Sequence, residues 1–174
     1  MDSISMLRQQ FQNAHGLLEG TMQGVTPEHA QWSPPGTANP LGSTYAHIVL
    51  GEDRILNGMA RGAQPLLETS WAGKLGLSEP PPPRGGDVAE WSRRVKVDLP
   101  ALQKYAQAVY ANTDQYLASL KPEDLERQVD LSAFGMGQQP LALLVGSLLL
   151  SHINNHCGEI ACLKGLQGGK GYPF

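Results

Sequence analysis

The stretch Leu141 to Gly165, LALLVGSLLLSHINNHCGEIACLKG, decides the fold. Its first ten residues are apolar almost all the way round, so periodicity alone does not separate a buried helix from a strand. Strands rarely exceed about ten residues, and the length therefore predicts a helix. A helix that is apolar on all sides belongs in the middle of a core. Polar residues from Ser151 onward interrupt the run too soon for it to span a membrane.

Two histidines, His152 and His156, lie four residues apart on this predicted helix. Four residues turn a helix by roughly 400°, so the two imidazoles face one side about one turn apart. Ring nitrogens at this spacing can reach one metal ion, although a hydrogen-bonded pair of core histidines is the alternative. Ile153 stands where zinc proteases carry the glutamate of H-E-x-x-H. The pair therefore indicates metal ligation without supplying a catalytic base.

The remaining apolar patterns predict three more long helices, which makes the fold all-α. In the first of them, apolar side chains recur at spacings of three, four and seven. The four predicted helices cover about residues 4–24, 43–60, 88–119 and 141–165. Pro100 falls inside the third helix and is expected to divide it into two segments. Four such helices favour a four-helix bundle, in which side chains on facing helices can build a metal site.

A third histidine, His47, lies early in the second predicted helix between apolar neighbours. Taken alone, this position is typical of a buried core histidine. If the second helix packs beside the last one, however, His47 joins His152 and His156 and offers a third nitrogen to the same ion. His15, in the first helix, is expected to be half-exposed.

The connections are of mixed length. Residues 61–87 form a long irregular stretch in which four consecutive prolines, Pro80 to Pro83, are stiff and extended. A loop this long in a compact domain is often a lid or pocket wall, but it can also be merely mobile. A small hairpin is predicted near residues 127–138. The apolar end of the chain, Tyr172 to Phe174, is expected to fold back onto the body or onto a partner.

Length and charge limit the class of protein. The 174 residues fit one domain, so residues 1–174 are predicted to form a single unit. A net charge of −3 with scattered basic residues gives no electrostatic basis for binding nucleic acid. The N-terminal segment MDSISMLRQQF lacks the features of a secretory signal. We therefore expect a cytoplasmic protein that binds neither nucleic acid nor a membrane.

Two segments together are similar to a known family. NPLGSTYAHIVLGEDRIL (Asn39 to Leu56) has a proline-containing loop and then a histidine early in a helix. PLALLVGSLLLSHINNHCGEIACLKGLQG (Pro140 to Gly168) has H-x-x-x-H followed closely by G-E-I and a terminal glycine. In this order, the two motifs resemble those of the DinB-like superfamily, which includes the YfiT-like proteins and thiol-dependent transferases.

This resemblance implies a four-helix bundle in an up-down-down-up arrangement with a long crossover, often as a homodimer. It also implies a divalent metal held by three histidines, which by position are His47, His152 and His156. Zinc or nickel is the expected ion, although imidazole ligands alone also suit copper or iron.

The implied function is that of a metal-dependent enzyme acting on a small molecule. It is either a hydrolase or an S-transferase that uses a low-molecular-weight thiol of the bacillithiol or mycothiol type. Three protein ligands leave a position for water or substrate. No general base or substrate-binding residue is identified, and pocket specificity is expected to depend on residues 61–87. The competing hypothesis is a non-catalytic bundle whose metal is structural or adventitious and whose role is interaction.

Several polar side chains are candidates for supporting the metal site. Glu159 lies near the face that carries the histidine pair, and Asn155 can line the pocket. Glu52 and Asp53 point away from His47 on an ideal helical wheel. All three acidic residues are open to the alternative interpretation that they are solvated or capping side chains.

Overall fold

A computed structural model describes residues 2–83 and 86–174 of the chain, and it is predominantly helical. Its α-helices are α1 (Ser3–Met22), α2 (Pro27–Gln31), α3 (Leu41–Asp53), α4 (Val88–Arg94), α5 (Leu99–Ser119) and α6 (Leu150–Leu166). Two π-helical stretches continue these helices, Arg54–Ala60 after α3 and Leu143–Leu149 before α6. A short antiparallel hairpin joins β1 (Gln128–Asp130) to β2 (Gln138–Pro140). The all-α fold class and the small hairpin are therefore confirmed.

Helices α1 and α6 lie side by side and run in the same direction. Near the start of α1, Leu7 lies against Gly146, in the π-helical stretch before α6. Near its end, the Thr21 carbonyl accepts a hydrogen bond of 2.8 Å from Lys164 Nζ. Because both sequence numbers rise together, the first and last helices of the bundle are parallel.

Helices α3 and α5 are also parallel to each other. Tyr105 donates to Asp53 at the end of α3, and Tyr116 donates to the carbonyl of Ala60, further along both helices. Consecutive parallel helices require the chain to travel back along the bundle before the second one begins. The connection between the two helices contains the described residues 61–83 and then α4, and the need for this return explains why it is so long.

Helix α1 runs antiparallel to α5, which fixes the arrangement of the bundle. Arg8, near the start of α1, pairs with Asp114, whereas Glu19 accepts a hydrogen bond from the earlier residue Tyr110. With α1 parallel to α6 and α3 parallel to α5, the directions read up, down, down, up. The arrangement and its long crossover are as predicted.

The break predicted at Pro100 is present. Helix α4 ends at Arg94, and α5 begins at Leu99, so that Pro100 occupies the first turn of a new helix. A proline is tolerated there because the first turn has no intrahelical acceptor for its missing N–H. Asp98 caps the helix, since its side chain accepts a hydrogen bond from the backbone N–H of Ala101.

The core is formed by apolar side chains from all four long helices. Among the largest fully buried ones are Leu18, Tyr45, Ile48, Leu102, Tyr105 and Leu144. The long irregular segment packs on this core, because Leu67 and Leu75 are buried and the Trp71 ring lies 5.7 Å from that of Tyr105. No helix within residues 2–83 and 86–174 is long and apolar enough to cross a membrane.

The C-terminal residues fold back onto the bundle, which was one of the two predicted positions for them; the other was on a partner. Pro173 packs against Gly20 of α1, where an added Cβ would lie only 3.0 Å from the proline Cγ. The Tyr172 hydroxyl similarly approaches Gly158 of α6. Two glycines thus allow the end of the chain to lie close to the first and last helices.

Candidate metal centre

Three histidines converge where α3 packs against α6. His47 lies on α3, and His152 and His156 lie one turn apart on α6. The ring centroid of His47 is 4.9 Å from each of the other two, which are 4.7 Å from one another. One ligating nitrogen from each ring lies within 4.8 Å of the others. The structure therefore brings together the three residues that the sequence pattern and the resemblance selected.

The nitrogen positions suit one small divalent ion. Two nitrogens on a tetrahedral zinc ion are about 3.3 Å apart, given Zn–N distances near 2.0–2.1 Å. The Nε2 atoms of His47 and His152 lie 3.0 Å apart. Two lone pairs at this distance repel unless a hydrogen or a cation lies between them. The Nδ1 atom of His152 is buried without a hydrogen-bond partner among the described residues, which leaves this ring incompletely satisfied by protein atoms alone.

A carboxylate fixes the orientation of the third ring. His156 Nδ1 lies 2.7 Å from Glu159 Oε2, so the ring donates its Nδ1–H and keeps its Nε2 lone pair available. Histidine–carboxylate pairs of this kind orient metal ligands and increase their basicity. Glu159 is therefore at the cluster, whereas Asn155 is exposed and is not among the described residues that line the adjacent cavity.

Burial keeps two of the rings neutral at physiological pH. Desolvation lowers the pKa of His152 from an ordinary value of 6.5 to about 4, and protonation of His152 is also opposed by any charge on His47 or His156. The pKa of His47 is lowered as well, first by burial and then by His156. Neutral imidazole is the form that binds metals, so little competition from protons is expected near pH 7.

The metal-free protein is expected to lose stability as the pH falls from about 7 towards 4. In this window an unfolded chain protonates His152 near pH 6.5, whereas the folded chain does not, so acid favours unfolding. The loss is up to about 3 kcal/mol, since each pKa unit is worth about 1.4 kcal/mol. Urea unfolding in the presence of a chelator measures it. His152→Gln should reduce this pH dependence, with the contribution of His47 remaining, and an unchanged slope in the variant would contradict the assignment.

A small cavity opens beside the cluster. It has a volume of about 90 Å³ and is lined by Asn39, Thr44, His47, Val88, His156 and Glu159. No fourth histidine, cysteine or carboxylate within the described ranges joins the ligating group. Three protein ligands with space next to them would leave a position on a bound ion for water or another small ligand.

Glu52 and Asp53 are fully buried, so the alternative that they are solvated or capping side chains is wrong. Glu52 pairs with His15 Nε2 at 2.9 Å and also accepts a hydrogen bond from the Thr113 hydroxyl. His15 is itself buried, so the expectation of a half-exposed ring is wrong. Charged side chains are rarely buried unless they are paired, and here the partners come from α1 and α5.

Asp53 accepts four hydrogen bonds and joins three parts of the structure. Its donors are the Asn57 amide, the Tyr105 hydroxyl and the backbone N–H groups of Leu66 and Leu67, at distances from 2.6 to 2.9 Å. The carboxylate thereby attaches the segment after α3 to the bundle. In the sequence, the only indication that Asp53 has a structural role is its position beside Glu52 in a mainly apolar segment.

The fold and the cluster together define a four-helix bundle that carries three converging histidines on two facing helices. The sequence model of the DinB superfamily matches residues 10–160. The chain therefore belongs to the DinB superfamily.

A solved structure described as the conserved protein of locus from Enterococcus faecalis is similar in fold. It is 21% identical in sequence, with a TM-score of 0.80, and the match covers 95% of this chain and 97% of that one. At this level of identity the likeness shows the fold alone. None of the curated proteins matches the chain.

Proposed function

We propose that this protein is a metal-dependent thiol S-transferase in which His47, His152 and His156 hold one divalent ion, zinc or nickel. The observation that carries the proposal is the convergence of three imidazole nitrogens beside a cavity, with no fourth ligand from the described residues. When bound, such an ion acts as a Lewis acid that lowers the pKa of a neighbouring thiol or water.

The residues around the cavity favour a thiol over water as the nucleophile. An ordinary thiol has a pKa near 8.5 and water one near 15.7, so water needs more help to lose its proton. Among the described lining residues other than the histidines, Glu159 is the one that can act as a base, and it accepts a hydrogen bond from His156. A carboxylate used to orient a ring is less available to take a proton from water.

Hydrolysis is the second candidate function, and the position of the Glu159 carboxylate at the cavity favours it. Its side chain is 37% exposed and lines the same cavity as His47 and His156. A carboxylate in this position can reach a water molecule in the cavity if the hydrogen bond to His156 is released.

The two candidates are separated by measuring thiol binding and reaction directly. Protein loaded with cobalt(II) is titrated with a thiol, and a sulfur-to-metal charge-transfer band is expected in the near ultraviolet. Transfer is then assayed with 1-chloro-2,4-dinitrobenzene: the sulfur–carbon bond forms, chloride leaves, and the thiol proton goes to solvent. Cobalt binding without a thiol band, together with ester or amide hydrolysis, would instead identify a hydrolase. Metal binding with neither activity would support the non-catalytic bundle.

Replacement of Glu159 provides a sharper distinction. Glu159→Gln is expected to weaken metal binding by about 10- to 100-fold, because His156 loses the acceptor that orients it. At saturating metal, thiol transfer should persist. A hydrolase that uses Glu159 as its base would lose activity even when fully loaded. Glu126→Gln, at an exposed position, is the matched control and should leave both quantities unchanged.

A further inference from the structure

Two adjoining cavities lie along the π-helical stretch that follows α3. One has a volume of about 380 Å³ and the other about 500 Å³, and both are lined by Arg54, Glu68 and Pro83. We refer to the two cavities together as the Arg54–Glu68 groove. Each volume falls within the range of about 300–1,000 Å³ that is typical of small-molecule sites. Much of the wall is supplied by residues 65–83, which belong to the segment on which pocket specificity is expected to depend.

The groove reaches the histidine cluster at Gly51. This residue lines the smaller cavity, and a Cβ added to it would lie 3.0 Å from His152 Cε1 and 3.6 Å from His152 Nε2. The absence of a side chain at Gly51 therefore lets one turn of α3 contact both the groove and a ring of the cluster. The smaller cavity is thus separated from the His152 ring by the backbone of one residue, Gly51.

Two of the three charged residues that line the groove, Arg54 and Glu68, have no partner among the described residues, whereas the third, Glu79, pairs with Arg94. The other arginines of the described ranges all donate side-chain hydrogen bonds; they are Arg8, Arg61, Arg93, Arg94 and Arg127. Arg54 donates none to any described residue, although it is partly buried. Glu68, on the opposite segment, forms no ion pair within the described ranges either. A cation and an anion thus face one groove without neutralising each other.

The rest of the lining is mainly apolar. Ile55, Met59, Pro65 and Phe134 contribute to the wall of the smaller cavity. In such surroundings a charged hydrogen bond is stronger than in water, and an unsatisfied charge is costly. A guanidinium group binds a carboxylate through two parallel hydrogen bonds, and a carboxylate binds an ammonium group. The pair therefore selects a ligand that carries both complementary groups.

We propose that the Arg54–Glu68 groove binds a thiol of the amino-acid type, whose carboxylate pairs with Arg54 and whose ammonium group pairs with Glu68. This inference rests on the proposed S-transferase function and names its substrate class. The groove is larger than a single amino acid, so thiols with further groups attached to this zwitterionic end also fit. Binding in the groove holds the sulfur-bearing part of the ligand close to His152.

Three thiols that differ only in their charged groups test this proposal. L-Cysteine carries both groups, 3-mercaptopropionate lacks the ammonium group, and cysteamine lacks the carboxylate. Their dissociation constants are measured by titrating the cobalt(II)-loaded protein and following the charge-transfer band. Cysteine is expected to bind at least about tenfold more tightly than either analogue, since each charged hydrogen bond contributes about a factor of ten or more.

Two variants assign each charged group to its residue. Arg54→Gln should weaken cysteine and 3-mercaptopropionate by about tenfold or more and leave cysteamine unchanged. Glu68→Gln should weaken cysteine and cysteamine and leave 3-mercaptopropionate unchanged. Arg93→Gln, which removes an exposed arginine elsewhere, is the control. Equal weakening of all three thiols by Arg54→Gln, or no weakening of any, would overturn the proposal.

A further measurement separates failure of the groove from failure of the proposed function. S-Methyl-L-cysteine has no free thiol, and its binding to the metal-free protein can be followed by ligand-observed NMR. Binding that depends on Arg54 in a protein that takes up no metal would support the groove and refute the S-transferase. Metal uptake and thiol ligation without any preference for cysteine would refute the groove alone.

Discussion

Substitution of His152 or His156 by alanine is expected to abolish stoichiometric metal binding, and His47→Ala to weaken it by about 100-fold or more. The difference follows from where the ligands lie. His47→Ala leaves two ligands one turn apart on α6, whereas either of the other changes leaves one ligand on each of two helices. Metal content is measured by mass spectrometry on protein purified without a histidine tag. The wild type should contain about one equivalent.

The matched control for this series is His29→Ala. His29 lies on the short helix α2 and is absent from the ligating group, so its loss should leave metal content unchanged. Circular dichroism establishes that each variant is folded. Full metal content in His47→Ala would mean that the third ligand is wrongly assigned. A wild type that takes up neither zinc nor nickel would make the three histidines core residues and favour the interaction bundle.

The parts of the site that depend on local geometry could be predicted from the sequence. The spacing of His152 and His156 places both rings on one face of any helix, whatever surrounds it. His47 is different, because nothing in its own neighbourhood distinguishes a ligand from a core histidine. Its place in the cluster depends on the packing of α3 against α6, which the family resemblance implied and the structure shows. The sequence also placed Glu159 near His152 and His156, but it did not predict the hydrogen bond between Glu159 and His156.

The parts that depend on distant partners could not be predicted. Glu52 is buried because His15 and Thr113, 37 and 61 residues away, supply its hydrogen bonds. A charged residue with no visible partner is ordinarily interpreted as solvated, and the sequence contains no local pattern that announces such pairing. The Arg54–Glu68 groove could not be predicted for the same reason, because its residues are distant in the sequence. Arg54 lies on the π-helical stretch after α3 and Glu68 on the short 3-10 helix Leu66–Glu68, and only the fold of the crossover makes them line a common cavity.

The π-helical stretches are a second kind of feature that periodicity does not reveal. A single turn of wider helix changes the direction of the following side chains, while the apolar spacing remains compatible with an ordinary helix. Both stretches occur next to the site, one carrying Arg54 and the other leading into α6. Such irregular turns are common near functional sites, because they redirect side chains towards a pocket.

Asp53→Ala is expected to lower the free energy of unfolding by roughly 3–5 kcal/mol, the largest stability effect among the variants considered. The change removes the acceptor for four hydrogen bonds and leaves the hydroxyl of Tyr105 and the backbone N–H groups of Leu66 and Leu67 unpaired. Urea unfolding measures the loss. Asp114→Ala removes the partly exposed pair with Arg8 and a long hydrogen bond from the Gln12 amide, and it should cost less than about 1 kcal/mol.

The same variant connects stability to the site, because Asp53 attaches the segment that carries Glu68. Hydrogen exchange at Leu66 and Leu67 should accelerate more in Asp53→Ala than exchange in α1 or α5, since their acceptor is lost. The affinity of Asp53→Ala for cysteine should also fall, because the segment that carries Glu68 becomes less ordered. Metal content should stay near one equivalent, because His47, His152 and His156 are held by α3 and α6. If the free energy of unfolding of Asp53→Ala lies within about 1 kcal/mol of the wild-type value, Asp53 does not hold the groove wall.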